Sequence, residues 1–117
     1  MIPFANETVT LWRKMESGYE PFIIPNCWFK RNSVRSTSAD GAMTQREECI
    51  CRIPVGNIHP TPGDAIALGE HANSVKNEIE LVRMLEKLRP HGAFRVKSVS
   101  DNVVPGVPFP HFAARGE

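Results

Sequence analysis

The feature that most constrains the fold is a series of short runs in which apolar and polar residues alternate. A period of two, with β-branched and aromatic residues enriched, is typical of strands that bury one face. Most of the ten prolines stand between these runs, where they indicate turns and loops of an ordered domain. Proline cannot donate to a sheet ladder, so Pro25, inside the second run, predicts a bulge or an edge position. The predicted strands are Thr8–Trp12, Phe22–Phe29, Glu48–Ile53, Asp64–Gly69 and Ala93–Val99, with a short last strand after Pro108–Phe112.

One segment, Ser74–Arg89, has helical periodicity instead. Apolar residues recur at spacings of three and four between Val75 and Leu85, which predicts one apolar stripe along a helix. Ser74 is the predicted N-cap, and acidic residues come early and basic residues late, in the order that suits the helix dipole. Pro90 ends the helix.

These elements together predict a single, mainly β domain over residues 1–117. The expected architecture is a small barrel or a curled antiparallel sheet of five to six strands with one helix packed on it. Residues 31–46 are polar without apolar periodicity, so we expect an inserted loop there, and the helix at 74–89 is a second insertion.

Composition excludes several classes of function. The net charge is +1, with 14 basic and 13 acidic residues, so the chain as a whole gives no reason to expect nucleic-acid or membrane binding. No run is long enough to span a bilayer, and Met1–Phe4 lacks the features of a signal peptide. Three cysteines are an odd number, which fits a reducing compartment better than a disulfide scaffold.

The cysteines and histidines are the first candidates for chemistry. Cys49 and Cys51 would share one face of a strand, Cys27 could lie on a neighbouring strand, and His59 or His71 could complete a zinc site. The spacing contains neither a C-x-x-C knuckle nor a histidine pair at helical spacing, and nothing indicates a cysteine nucleophile. Buried cysteines that act as small hydrophobes are therefore the favoured interpretation, with no metal, no cofactor and no enzymatic activity expected.

Phosphate binding is not indicated by a glycine-rich motif. Pro62–Asp64 lacks the Gly-Lys-Ser/Thr of a Walker loop, and we interpret it as a turn in which Asp64 accepts from nearby backbone N–H groups. Two basic groups remain as candidate sites, although solvated surfaces are the simpler explanation for both. Four residues could face nucleic-acid phosphates, and two could form a subunit-facing strand: Lys30, Arg31, Arg35 and Arg46 in the first group, Arg95 and Lys97 in the second.

Four aromatic residues, Trp12, Trp28, Phe94 and Phe112, could form a base-stacking surface of the kind that small barrels use for single-stranded nucleic acid. Aromatic residues on alternating strands more often belong to a core. A single-strand-binding barrel therefore stays an alternative of another functional class.

Several segments resemble small phage and prophage proteins known as minor capsid proteins. The pattern runs Pro-Gly-Asp, an apolar strand and Gly; then Phe-x-Val-x-Ser-Val-x-Asp-Asn; then Pro-His-aromatic. The matching segments are Pro62–Glu70, Phe94–Asn102 and Pro110–Phe112, with weaker matches at Asn6–Leu11 and Cys27–Trp28. The order of elements is similar to that of the head-closure, or stopper, proteins of tailed-phage necks.

The resemblance implies a structural virion protein, which assembles in the host cytoplasm as a homo-oligomeric β-barrel ring in the head–tail connector. It implies contacts with other neck proteins on the portal or adaptor side and on the tail side, and non-specific contact with packaged DNA, but none with a membrane. In this setting the residues that would reach the DNA channel or a neighbouring ring are Lys30, Arg31, Arg35 and Arg46. A tail-completion or minor capsid protein is the alternative within this setting.

Overall fold

The alternating runs form the strands of a closed barrel. The computed structural model describes residues 6–37, 39, 41, 43–56, 58–102 and 110–117, and for residues 32–37 and 43–47 it describes the backbone alone. In these residues the elements are β1 (Glu7–Met15), β2 (Gly18–Thr37), β3 (Met43–Pro54), β4 (Ala65–Leu68), helix α1 (Glu78–Leu88), a 3₁₀ turn (Arg89–His91), β5 (Ala93–Asn102) and β6 (His111–Gly116).

The strands are antiparallel and follow the order β1-β2-β3-β6-β5-β4, with β4 pairing back to β1. The last strand closes the barrel because β6 lies between β3 and β5, where Gly116 is opposite both Cys49 and Val96. The predicted fold class is therefore confirmed: a mainly β chain with six strands in a closed barrel and one helix.

Side-chain alternation separates two cores. The residues that point into the barrel are Val9, Leu11, Ile24, Cys27, Cys49, Cys51, Ile53, Ile66, Phe94, Val96 and Ala114. The second core lies between α1 and the outer face of the barrel, and its buried residues are Trp12, Tyr19, Ala65, Ala67, Val75, Leu81, Leu85 and Ala93. Small alanines on β4 and β5 let the helix approach the sheet closely.

The bulge predicted at Pro25 is present in β2. Glu7 is opposite Cys27 but Val9 is opposite Ile24, so β2 contains one more residue than β1 between these pairs. Asn26 absorbs the extra residue with a φ of 59°, a left-handed conformation that asparagine tolerates better than most residues.

The loop predicted at residues 31–46 is wrong over most of its length. β2 continues to Thr37 and β3 begins at Met43, with pairs running from Arg31↔Cys49 to Thr37↔Met43. The prediction failed because these strands are paired by the hairpin register and not by an apolar pattern in their sequence. They therefore need no apolar alternation, and periodicity does not reveal them.

The helix begins later than predicted, at Glu78 instead of Ser74. Val75 forms an isolated antiparallel bridge with Tyr19, which holds this part of the segment extended. Asn77 is the N-cap, and its side chain accepts a hydrogen bond from the Glu80 backbone N–H at 2.9 Å. Both Ser74 and Asn77 are good capping residues, so the sequence alone did not distinguish them.

Candidate functional site

The β2–β3 hairpin extends beyond the barrel as a two-stranded arm, which we define as the paired residues 32–37 and 43–48. β1 pairs with β2 only as far as Cys27, and β6 pairs with β3 only from Cys49 to Pro54. Within the described part of the chain, residues 32–37 therefore pair with β3 alone. Six residues per strand at about 3.3 Å each make an arm on the order of 20 Å long.

The predicted channel residues are divided between the arm and its base. Lys30 is exposed on β2. The Arg31 guanidinium donates to the carbonyls of Arg89 at 2.7 Å and Pro90 at 3.3 Å, so it caps the chain after α1, where a cation suits the helix dipole. Arg35 and Arg46 lie in the arm opposite Gln45 and Val34, and their side chains are outside the described structure.

The predicted subunit-facing pair lies on β5, with Phe94 and Val96 pointing into the barrel as expected. Arg95 donates to both carboxylate oxygens of Glu78, at 2.5 and 3.1 Å, and to the Gly63 carbonyl at 2.6 Å. It therefore ties the first turn of α1 to the barrel. Lys97 lies at a register shift in β5 and is 3.2 Å from a Glu117 carboxylate oxygen.

Hydrogen bonds from Arg95 and then from Tyr19 lower the pKa of Glu78 from about 4.5 to about 2. Because the folded pKa is depressed, this stabilisation is present above pH 4.5 and disappears as the pH falls towards 2. The Glu78 side chain is 55 % exposed, so solvent screens the pair and we expect it to contribute less than about 1 kcal/mol to stability.

Glu78→Gln should lower the free energy of unfolding by less than about 1 kcal/mol at pH 7 and flatten the decline of stability in acid. Urea titrations at pH 7 and pH 3 measure both quantities, with Glu86→Gln as the control. An acid decline identical to that of the wild type would refute the assignment.

All three cysteines lie inside the barrel, as expected for small hydrophobic residues. A hydrogen bond with Cys27 and burial raise the pKa of the Cys51 thiol well above its usual value. A protonated, buried thiol is a poor nucleophile and a poor metal ligand. No three His, Cys, Asp or Glu side chains form a candidate metal site within the described residues.

The histidines of the alternative zinc site contact other groups. The His59 ring is 2.8 Å from an Asp101 carboxylate oxygen and packs edge-on against Phe112. The His71 ring lies beside Trp12, outside the barrel, with its Nε2 3.0 Å from the Leu68 carbonyl.

A partly buried ion pair, which the sequence did not reveal, joins β1 to the turn before β4. The Asp64 carboxylate accepts from Arg13 Nη2 at 2.7 Å and from the Thr61 backbone N–H at 2.9 Å. The turn predicted at Pro62–Asp64 is thus confirmed, but its charged partner on β1 is an addition. In the sequence Arg13 simply follows an apolar run. The pairing of β1 with β4 is what brings its guanidinium next to Asp64.

The four aromatic residues do not share an exposed surface. Trp12 and Phe94 are fully buried, so they cannot stack on bases. Trp28 is half-buried on the outer face of β2, where the Arg52 guanidinium carbon lies 4.5 Å from the ring centroid. Arg52 was not among the predicted site residues, although its position in an alternating strand places it on the outward face.

Several large apolar side chains are exposed: Met15, Ile23, Val55, Ile79 and Val82. Ile79 and Val82 lie on the outer side of α1, where their exposed fractions are 65 % and 42 %.

In the part of the chain that the structure describes, no helix has the length and apolar character that crossing a membrane requires.

The profile of a family of unknown function (DUF6751) matches residues 4–117. No curated protein and no solved structure matches the chain. Since the profile covers nearly the whole domain, including every strand of the barrel and the helix, the chain belongs to the DUF6751 family.

Proposed function

We propose that this chain is a non-enzymatic structural subunit of a tailed-phage particle, a head-closure ring protein in the connector between head and tail. The observation that carries the proposal is the arm on an otherwise closed barrel. A closed barrel has no free strand edge, whereas a projecting ribbon presents two. The head-closure resemblance of the sequence supplies the setting.

The dimensions support an arm that works outside its own domain. The radius of gyration is 15.2 Å, whereas a compact domain of this length has about 13 Å. Within the described residues, 32–37 pair with β3 alone, so the other edge of this strand is available to another molecule. The outer edge at residues 32–37 has the form that accepts a strand from a neighbouring copy.

A structural role also fits the state of the reactive groups. The thiol of Cys51 is protonated and buried, and the Asp64 carboxylate is occupied by Arg13 and Thr61. These groups stabilise the barrel. The exposed Ile79 and Val82 on α1 offer further contact area for a neighbouring subunit.

The expected partners are identical copies within a ring and other neck proteins on the portal or adaptor side and on the tail side. The site of action is the virion. A tail-completion or minor capsid protein is the second candidate in this setting, and it would share the barrel but occupy a different position in the particle.

Shortening the arm tests the proposal. Replacing residues 32–48 by Asn-Gly joins Arg31 to its cross-strand partner Cys49 through a two-residue turn that suits a hairpin. We expect the full chain to form a closed oligomer and the shortened chain to be monomeric, as measured by light scattering coupled to size-exclusion chromatography. The thermal midpoint is the control. Because the two arm strands pair only with each other in the described structure, the midpoint should change by only a few degrees. A shortened chain that still assembles would contradict the role of the arm.

A further inference from the structure

The outer face of β2, β3 and β6 carries three cations, with Ile50 between two of them and Glu48 at the end where the arm begins. The inward positions of β3 are Cys49, Cys51 and Ile53, so Ile50 and Arg52 point outward. Their cross-strand partners lie on the same face. They form two adjacent rows, Lys30–Ile50–Arg115 and Trp28–Arg52–Ala113. Neighbouring strands are about 4.8 Å apart, so the three cations lie within roughly 12 Å of one another.

Arg52 is held in a defined position on this face. Its guanidinium carbon lies over the Trp28 ring, 4.5 Å from the ring centroid. A guanidinium in this position keeps its planar fork of N–H groups, which matches phosphate oxygens. Arg115 is oriented by a 2.9 Å hydrogen bond from its Nη1 to the Ser100 hydroxyl on β5.

The three cations of this face differ from other basic residues of the barrel in that those residues pair with carboxylates. Arg13, Arg95 and Lys97 each pair with a carboxylate, on Asp64, Glu78 and Glu117. Among the residues that the structure describes, no carboxylate lies within ion-pairing distance of Lys30, Arg52 or Arg115. Next to Arg115, β5 presents Ser98 and Ser100, whose hydroxyls can also donate to phosphate.

We propose that this face, defined by Lys30, Arg52 and Arg115 around Trp28, binds the phosphate backbone of duplex DNA without base specificity. Its physiological setting rests on the proposed function, because a neck ring surrounds DNA, whereas the binding itself is a property of the chain. Trp28 is covered on one side by Arg52, so it positions a cation and is not a free stacking surface for bases. A backbone contact of this kind depends on charge and is weakened by salt.

The test is the salt dependence of binding to a fluorescently labelled 30-base-pair duplex, measured by anisotropy with the full chain. Each phosphate contact contributes about −0.9 to the slope of log K against log salt. The triple variant Lys30→Gln, Arg52→Gln and Arg115→Gln should therefore have a slope shallower than wild type by about 2 to 3. The matched control, Lys76→Gln with Arg83→Gln and Lys87→Gln, removes the same charge from the exposed side near and on α1 and should keep the wild-type slope.

Two single variants keep the proposal testable if the triple variant does not fold. Lys30→Gln and Arg115→Gln leave the Trp28–Arg52 contact intact, and each should reduce the slope by about 0.9. Equal losses in the control and in the triple variant would overturn the inference, since only net charge would then matter. Binding to phosphatidylserine vesicles but not to duplex DNA would also overturn it.

Light scattering on the same samples separates this inference from the proposed function. If the wild-type chain assembles but all variants keep the wild-type slope, the DNA-binding face is refuted and the proposed ring is not. If the wild-type chain is monomeric but the triple variant has the shallower slope, the ring is refuted and the DNA-binding face is not.

Discussion

Replacing Gly116 by alanine should cost about 3 kcal/mol or more of unfolding free energy, because no space exists for a methyl group there. Gly116 is buried where β6 pairs with β3 on one side and β5 on the other. An added Cβ would overlap the Arg95 carbonyl oxygen and come within 2.9 Å of Phe94 Cδ2. The strands must separate to accommodate it, and this junction is the one that closes the barrel. Urea denaturation of the purified variant measures the loss.

Gly63→Ala is the control for the added methyl group. Gly63 has a φ of +99° and nothing within 4 Å of the position that a Cβ would take. Its alanine variant should therefore lose only about 1–2 kcal/mol from the unfavourable backbone conformation. Equal losses at the two positions, or a Gly116→Ala variant as stable as the wild type, would mean that β6 does not close the barrel in this register.

Trp12→Ala should destabilise the domain by about 3–5 kcal/mol, as large-to-small substitutions in a core do. Trp12 is fully buried in the second core, and its indole N–H donates to the Asn73 carbonyl at 2.9 Å. It thus joins β1 to the segment that leads into α1. Domains of this size have a free energy of unfolding of about 5–15 kcal/mol. The variant should therefore retain little stability at 37 °C, and much of the cooperative transition of the folded protein should be missing above that temperature. Thermal unfolding followed by circular dichroism measures this.

Trp12→Phe divides the effect into packing and hydrogen bonding. Phenylalanine keeps most of the apolar volume but leaves the Asn73 carbonyl without its indole donor, so the loss should be about 1–2 kcal/mol. If the alanine variant lost less than about 1 kcal/mol, α1 and the preceding segment would not pack on the barrel through this residue.

How much of this architecture can be predicted from the sequence depends on whether a segment buries one face. β1, β4 and β5 point apolar side chains into the barrel at alternate positions and are covered by α1 on the other face, so their apolar and β-branched residues reveal them. In the described structure the two strands of the arm, residues 32–37 and 43–48, pair only with each other, and their sequence has no apolar alternation. The backbone pairing of β2 with β3 begins within the barrel and continues in the same register along the arm.

Some residues of the candidate site can be predicted from local sequence, whereas others come together only through strand pairing. The basic character near Lys30 is evident from local composition, and the exposure of Lys30 agrees with it. Arg52 and Arg115 join Lys30 only because β6 pairs with β3, a contact between residues more than sixty positions apart in sequence. Arg95 shows the reverse case. It lies on the predicted outward side of β5, but its guanidinium binds Glu78, which no local pattern indicates.

The central claim is that this chain is a ring subunit of the connector, and a cryo-EM map of the tailed particle whose genome encodes it is the most direct test. The account predicts density for several copies of the six-stranded barrel in a closed ring between the head vertex and the tail, with each β2–β3 arm contacting a neighbouring subunit. A particle that lacks the chain, or that holds it elsewhere as isolated barrels whose arms contact no other subunit, would contradict the claim.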